Sequence, residues 1–377
     1  MKIEIGKFVS QPRGYKSFVT NPFPPKGIFG FPAKTLVKAD KATRLVGKLD
    51  GVTHELPDVD FFLYMFIIKD AEASSQIEGT KATIVDVLEA NAGIAPKETD
   101  SSDIDFYIEA LNYGIVRIKK LPLSLRFIRE LHSKLMTGAR ATHFSDPGNF
   151  RNSQNWIGGA TLSDASYVPP AVTDMNPALS DLEKFLHNEE VLPLIQAAIA
   201  HAQFETIHPF LDGNGRTGRL LITLLLLERK LLDKPVLFLS WYFKKHQKVY
   251  YQKLGDYHDG KVDEWVNFFL DGVIETAEDS IRISKKIFQL REEDMCKIHA
   301  LGKREAESGI LVLRNLFKMP IINSRIVMGW TGFTRAGSIK LIERFVSLGI
   351  LIERKTEGKE KVYSYVNYLK AFTRDNK

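Results

Sequence analysis

One cysteine, Cys296, stands in 377 residues. It excludes an intramolecular disulfide and a cysteine-rich metal centre, and it fits a reducing, cytoplasmic setting. No apolar run is long enough to span a bilayer. The most lipid-like, Leu220 to Leu227, is closed by Arg219 and Glu228. The opening Met1-Lys-Ile-Glu-Ile-Gly-Lys holds no apolar signal core, so the sequence reads as a soluble protein with no membrane partner. There is no internal repeat, no low-complexity tract and no G-x-x-x-x-G-K-[ST] loop.

The composition is otherwise ordinary. Charged residues make up 26% and apolar ones 44%, which excludes disorder as the main state. The length suggests two or three domains. Net charge is +6 but uneven: from Lys297 onward there are 16 Lys/Arg against 7 Asp/Glu, and the remainder is slightly acidic. That asymmetry suggests a separate tail module with an anionic partner, or else a solvated basic surface.

Residues 1–35, rich in Pro, Gly and Phe, read as irregular wrapping. Leu56-Pro-Asp opens a long apolar segment, with Asp58 as its N-cap and Gly79 as its stop. Helical patterns follow at 80–90, 103–118, 124–138, 174–188, 193–206 and 216–232, then continue to about 295. Between them, Asp146-Pro-Gly, Gly158-Gly159 and Pro169-Pro170 punctuate aromatic pieces around Trp156 and Tyr167, which reads as a small hairpin. In the tail, Glu305–Lys318 reads as a helix ended by Pro320. Asn323 and Thr334 cap two more, and 350–354 and 361–366 read as strands: a winged helix-turn-helix pattern. The expected fold class is mainly α, with a helical bundle, a small hairpin and a C-terminal winged helix. The expected divisions are 1–118, 119–295 and 296–377.

The chemically dense stretch is His208-Pro-Phe-Leu-Asp-Gly-Asn-Gly-Arg-Thr-Gly-Arg219. Gly213 and Gly215 permit backbone angles closed to bulkier residues, so amides can converge on one point. The following helix presents its positive end there. Arg216 and Arg219, three apart, can face that end. The result is a polyphosphate socket. Asp212 is a hard oxygen ligand suited to Mg²⁺ shared with phosphate, and His208 can act as a general base. Gly213 to Gly218 also spells G-x-G-x-x-G, but helical Ile195–Phe204 precedes it where a dinucleotide fold needs a strand.

This stretch resembles the signature of Fic-domain proteins, H-P-F-x-[DE]-G-N-G-R-x-x-R, at every fixed position. Gly148-Asn-Phe-Arg, Trp156-Ile-Gly-Gly and Tyr167-Val-Pro-Pro resemble that family's flap, and Ser74 to Gly79 its inhibitory motif, [ST]-x-x-x-E-[GN]. The tail resembles the winged helix often joined to such proteins.

The resemblance implies transfer of AMP from ATP to a Ser, Thr or Tyr hydroxyl of a target protein. His208 would take the hydroxyl proton, and Asp212 would hold Mg²⁺. Gly213, Gly215 and Asn214, the last with its side chain, would cradle phosphates within the stretch that continues through Thr217 and Gly218. Arg216 and Arg219 would add charge, Arg219 at the γ-phosphate. The flap at Ile157, Gly158 and Gly159 would pair with an extended target segment, and Tyr250 and Tyr251 would lie near the nucleoside or serve as core aromatics. Gly215, where phosphorylating relatives carry Lys, favours nucleotidyl transfer. Glu78, in a motif opening at Ser74, would pair with Arg219 and inhibit.

The alternatives are a DNA-binding regulator with a nucleotide-sensing body, and an enzyme that mainly removes AMP. For the tail, Arg335, Lys340, Arg344, Lys355, Lys359 and Lys361 could contact DNA phosphates. Glu343, Glu353, Glu357 and Glu360 dilute that patch, and winged helices also serve as homodimer or target-docking modules.

Overall fold

A computed structural model describes residues 3–12, 14–54, 59–94, 99–138, 146–354 and 361–372. Its centre is a pair of helices, α7 (Pro193–Ile207) and α8 (Asn214–Glu228), packed on each other. Every residue of α7 from 194 to 207 is buried. A helix apolar all round belongs in the middle of a bundle, and α7 is enclosed by α6 (Val172–Leu186), α10 (Gln247–His258) and α11 (Val262–His299). On the α8 side lie α2 (Val59–Ile77), α4 (Thr99–Arg117) and α5 (Leu125–Met136). The short α3 (Ile84–Asn91) starts on a capping box between Thr83 and Asp86, four residues later than the sequence pattern implied.

Helix α1 (Ala33–His54) was not expected. It lies along α11. Its buried stripe is Thr35, Ala39, Ala42, Val46, Leu49 and Thr53, spaced by threes and fours but made largely of small residues, so the apolar signal is faint. Ahead of it, the segment expected to be irregular holds an antiparallel hairpin, β1 (Gly6–Ser10) with β2 (Lys16–Thr20). Phe18 of β2 donates its amide to the Val168 carbonyl at 2.9 Å, which fastens the hairpin to the segment expected to be the flap.

Helix α11 runs 38 residues, about 57 Å at 1.5 Å per residue, straight through the division expected at 295/296. Beyond it come α12 (Lys303–Leu316), α13 (Ser324–Thr331) and α14 (Arg335–Ser347). The Asn323 and Thr334 side chains cap α13 and α14 as read from sequence. The strands β3 (Ile321–Ile322), β4 (Ile352–Arg354) and β5 (Val362–Ser364) form an antiparallel sheet in the order β3-β5-β4. A last helix, α15 (Val366–Phe372), returns to pack on α2 and α11. There Phe372 meets Phe66 edge to face, with centroids 5.2 Å apart. No helix of the described residues is long and apolar enough to cross a membrane. The expected cap Asp58 lies outside the described residues, as do Lys355, Glu357, Lys359 and Glu360.

Candidate active site

The segment 208–213 turns the chain from α7 into α8. His208 closes α7 in the left-handed region, at φ 49°, a conformation that needs external support in a non-glycine residue. The support is Arg151, whose Nε donates to the His208 carbonyl at 3.0 Å; Asn155 Nδ2 donates to the same oxygen at 3.3 Å. Arg151 also donates to the carbonyls of Ser153 and Ile207. Its buried guanidinium is pulled down to about 10 by desolvation, so it stays charged at neutral pH.

His132 supports the far side of the turn. Its Nδ1 accepts the Gly148 amide at 2.9 Å, so its Nε2 carries the proton and donates to the Asp212 carbonyl at 2.9 Å. Its ring stacks on Phe210, centroids 3.6 Å apart and planes within 3°. Burial holds it near pKa 4, hence neutral. His132 was missed in the sequence. Its only signal is a polar ring on the buried face of α5, which reads as a satisfied core residue.

Gly213 takes φ 76° and is the N-cap of α8. It alone of the motif glycines needs its left-handed angle. Gly215 and Gly218 lie inside the helix, and their reason is space. A Cβ on Gly215 would run into Glu78 Oε1 and come within 2.9 Å of Arg219 Nη1; one on Gly218 would run into Glu205 Oε1.

Three of the residues expected at the nucleotide make contacts within the protein instead. The Asn214 side chain accepts the Phe210 amide and donates to the Phe210 carbonyl, both at 2.8 Å, and so braces the loop. Thr217 is fully buried and donates to the Gly213 carbonyl at 2.8 Å. Gly218 packs against Phe204 and Glu205 of α7.

Of the other expected residues, Glu78, Ile157, Gly158, His208, Gly215, Arg219, Tyr250 and Tyr251 line a cleft of about 890 Å³, while Ser74, Asp212, Gly213 and Arg216 lie beyond its lining. Glu78, Glu205, His208, Gly215 and Arg219 form its floor, Tyr250, Tyr251 and His258 one wall, and Trp156, Ile157, Gly158 and Phe8 the rim. Gly159 lies outside it. Tyr250 is anchored in the core by its hydroxyl, 2.8 Å from His201 Nε2, whereas Tyr251 is 48% exposed. The expected hairpin is a single bridge, Ile157 with Tyr167. Beyond it Gly158 and Gly159 take positive φ, and Asp164 accepts the amides of Ala160 and Thr161. The tight turn leaves no room for a longer ladder.

Arg219 is 3% exposed. Its Nε donates to Ser74 Oγ at 2.8 Å, and its Nη2 donates to the Ser74 carbonyl at 2.9 Å and to Glu78 Oε1 at 2.7 Å. Glu78 follows directly on α2, whose terminal carbonyls receive Lys244 Nζ (from Gln76) and Gln247 Nε2 (from Ile77), each at 3.1 Å. Burial raises the Glu78 pKa, but the Arg219 guanidinium prevails and the net shift is downward. Burial acts against the Arg219 charge, and Glu78 more than restores it.

Arg216 is 5% exposed, with Nη2 3.8 Å from Asp212 Oδ1 and Nε buried without a partner. A buried cation so poorly matched fits an anion arriving beside it. Asp212 accepts the Gly213 amide at 2.6 Å on Oδ1, and its carboxylate is 37% exposed. One accessible carboxylate at a phosphate socket fits Mg²⁺, which binds through one or two carboxylates plus phosphates and keeps waters.

In the tail, Arg344 lies 3.8 Å from Glu305, Lys361 pairs with Glu353 at 3.0 Å, and Arg354 reaches Glu89 of α3. Of the described cations in the expected patch, Arg335 and Lys340 stay outside these pairs.

The model of the Fic/DOC family matches residues 122–226, and that of the Fic/DOC family N-terminal region matches 36–116. The chain is a Fic-domain protein. It is 29% identical over 248 residues to a protein adenylyltransferase Fic of Drosophila grimshawi, covering 62% of this chain and 46% of that one. It is 30% identical over 215 residues to the Drosophila virilis counterpart, covering 54% and 40%. The chain thus aligns with less than half of the length of these curated relatives. Among solved structures, a Fic family protein from Desulfovibrio desulfuricans G20 superposes with a TM-score of 0.59 at 18% identity, covering 89% of this chain and 96% of that one. The fold is shared across the α bundle that carries the His208–Arg219 stretch.

Proposed function

We propose that this Fic-domain protein is a protein adenylyltransferase that moves AMP from ATP to a side-chain hydroxyl of a target protein, and that Glu78 holds it off. The observation that carries this reading is the Arg219–Glu78 pair on the floor of a cleft that also holds His208.

Burial keeps the His208 pKa near 4, with Glu78 opposing the shift and Arg151 adding to it. The imidazole is therefore neutral at physiological pH and able to accept a proton. In the reaction it takes the proton of the target hydroxyl. The hydroxyl oxygen bonds to the α-phosphorus, the bond from that phosphorus to the bridging oxygen breaks, and pyrophosphate departs. Arg219 and Arg216 neutralise the phosphates beside the positive end of α8. Asp212 with the phosphates would hold Mg²⁺, which supplies charge neutralisation and template geometry there.

The backbone groups of Trp156 and Gly158, on the edge away from Tyr167, make no hydrogen bond among the described residues. That edge supports docking of an extended target segment by strand addition. While Glu78 occupies Arg219, the guanidinium is withheld from a γ-phosphate, and ATP sits without its in-line hold. We assign residues 296–377 to a winged-helix docking module.

The test is mass spectrometry of the Glu78→Gly protein after incubation with ATP and Mg²⁺. An added adenylyl group, absent from the Glu78→Gly/His208→Ala protein, supports the reading. Bound ATP with no transfer under any condition refutes it.

A further inference from the structure

Glu205 is a buried carboxyl group that the mechanism above leaves unused. It sits on α7, one helical turn before His208, and is 9% exposed. Its Oε2 lies 3.7 Å from His208 Nδ1, about half an ångström beyond a hydrogen bond. Its Oε1 is buried with no partner, and Nδ1 is likewise a buried atom without one. Glu205 Oε1 and His208 Nδ1 are thus both unsatisfied, in side chains that come within 3.7 Å of each other through Oε2, and buried polar atoms without partners are rare in a folded protein. Gly218 opposite Oε1 keeps the room that this carboxyl needs.

We infer that Glu205 is the positioning residue of the general base, setting which ring nitrogen of His208 carries the proton. The inference rests on the reading of His208 as the base. A carboxylate accepts Nδ1–H, and the lone pair is then on Nε2, where the target hydroxyl proton goes. A carboxylic acid instead donates its O–H to Nδ1; the ring proton is then on Nε2, and the base is blocked. No atom is gained or lost between the two arrangements beyond the one proton that titrates.

The groups that face Glu205 set where that proton goes. Burial raises its pKa to about 8, with Arg219 opposing and Glu78 adding. His201 belongs to the same helix and stays neutral, its pKa pushed by burial to about 3; Tyr250, from α10, keeps its proton because burial raises its pKa. The carboxylate of Glu78 thus acts twice: it occupies Arg219, and it helps to keep Glu205 protonated. The Glu205 carbonyl also faces His208 Nδ1 and is the rival acceptor. If it suffices, the side chain is dispensable.

The experiment uses the full chain carrying Glu78→Gly, whose transfer activity first establishes that the base reading holds. Initial rates of adenylyl transfer are then measured from about pH 6 to pH 9 with and without Glu205→Gln. With Glu205 present, the rate rises with pH as the carboxyl ionises, on a limb displaced below about 8 because Glu78 no longer adds to the shift. Glu205→Gln offers an amide oxygen to Nδ1 at every pH, so the limb disappears and the upper rate falls about tenfold, because the imidazolium loses its counter-charge. A Glu205→Gln profile that keeps the limb overturns the inference while leaving the proposed function intact.

A second readout avoids activity. In His-labelled protein carrying the natural Glu78, the ¹⁵N shifts of His208 change from the Nε2–H to the Nδ1–H tautomer as pH passes through about 8. A single tautomer throughout that range overturns the inference as well.

Discussion

Arg151 holds His208 by its backbone: Nε donates to the His208 carbonyl at 3.0 Å, 57 residues along the chain. The left-handed turn at His208 therefore depends on a cation from the flap side. The guanidinium donates to four carbonyls, those of His208, Ser153, Pro170 and Ile207, which the three donors of a lysine ammonium cannot match. Arg151→Lys should destabilise the fold by about 2 kcal/mol and cut transfer in the Glu78→Gly protein at least tenfold. ATP affinity should change little, because the arginines of α8 are untouched. Thermal melting, calorimetric titration with ATP and rates measured together check this.

Ser74 supplies two of the three contacts that aim Arg219 at Glu78. Ser74→Ala removes the Oγ contact and keeps the carbonyl one, a loss of about 1.5 kcal/mol for a charged hydrogen bond. It should raise automodification with labelled ATP, by much less than Glu78→Gly does. Equal rates in the two variants would contradict this ordering.

The pair should also survive mild acid. The folded pKa of Glu78 lies below the ordinary 4.5 of such a carboxyl, so its stabilisation is complete above that value and is lost only as pH falls through the lower, folded one.

Four histidines, His132 and His201 buried and His208 and His258 half-buried, should govern acid stability earlier. His132, His201, His208 and His258 are held by burial at about 4, 3, 4 and 4, against an ordinary 6.5. Below 6.5 the unfolded chain binds protons that the folded chain refuses. Stability therefore falls with pH from there down to the folded values, by about 1.4 kcal/mol per pH unit per group. The melting temperature should fall steeply between pH 6.5 and 4, and less steeply in His258→Gln.

The space above Gly215 gives a coupling experiment. Gly215→Ala should clash with Glu78, so its destabilisation should shrink by about 1 kcal/mol when Glu78→Gly is also present. Unfolding free energies of the two single variants and the double variant measure that term.

Much of this was legible beforehand, and what was not has physical causes. The helices flanking 208–219 show in their apolar runs, and Asn323 and Thr334 cap where short polar residues precede helical patterns. Glu78 is visible because its neighbours form a spaced motif. Helix α1 is hidden because alanine and threonine line its buried stripe. His132 and Arg151 are hidden because they act on backbone carbonyls far along the chain, and nothing local marks such partners. Thr217, Gly218 and the side chain of Asn214 were drawn to the ligand by their place in the motif. The Thr217 hydroxyl turns back on the Gly213 carbonyl, Gly218 packs on α7, and the side chain of Asn214 braces its own loop.

The Phe66–Phe372 contact has a consequence for the newly made protein. Phe372 leaves the ribosome about three hundred residues after Phe66, so over that interval α2 has no α15 against it. A nascent chain therefore carries a complete His208–Arg219 stretch before α15 reaches the helix that leads into Glu78.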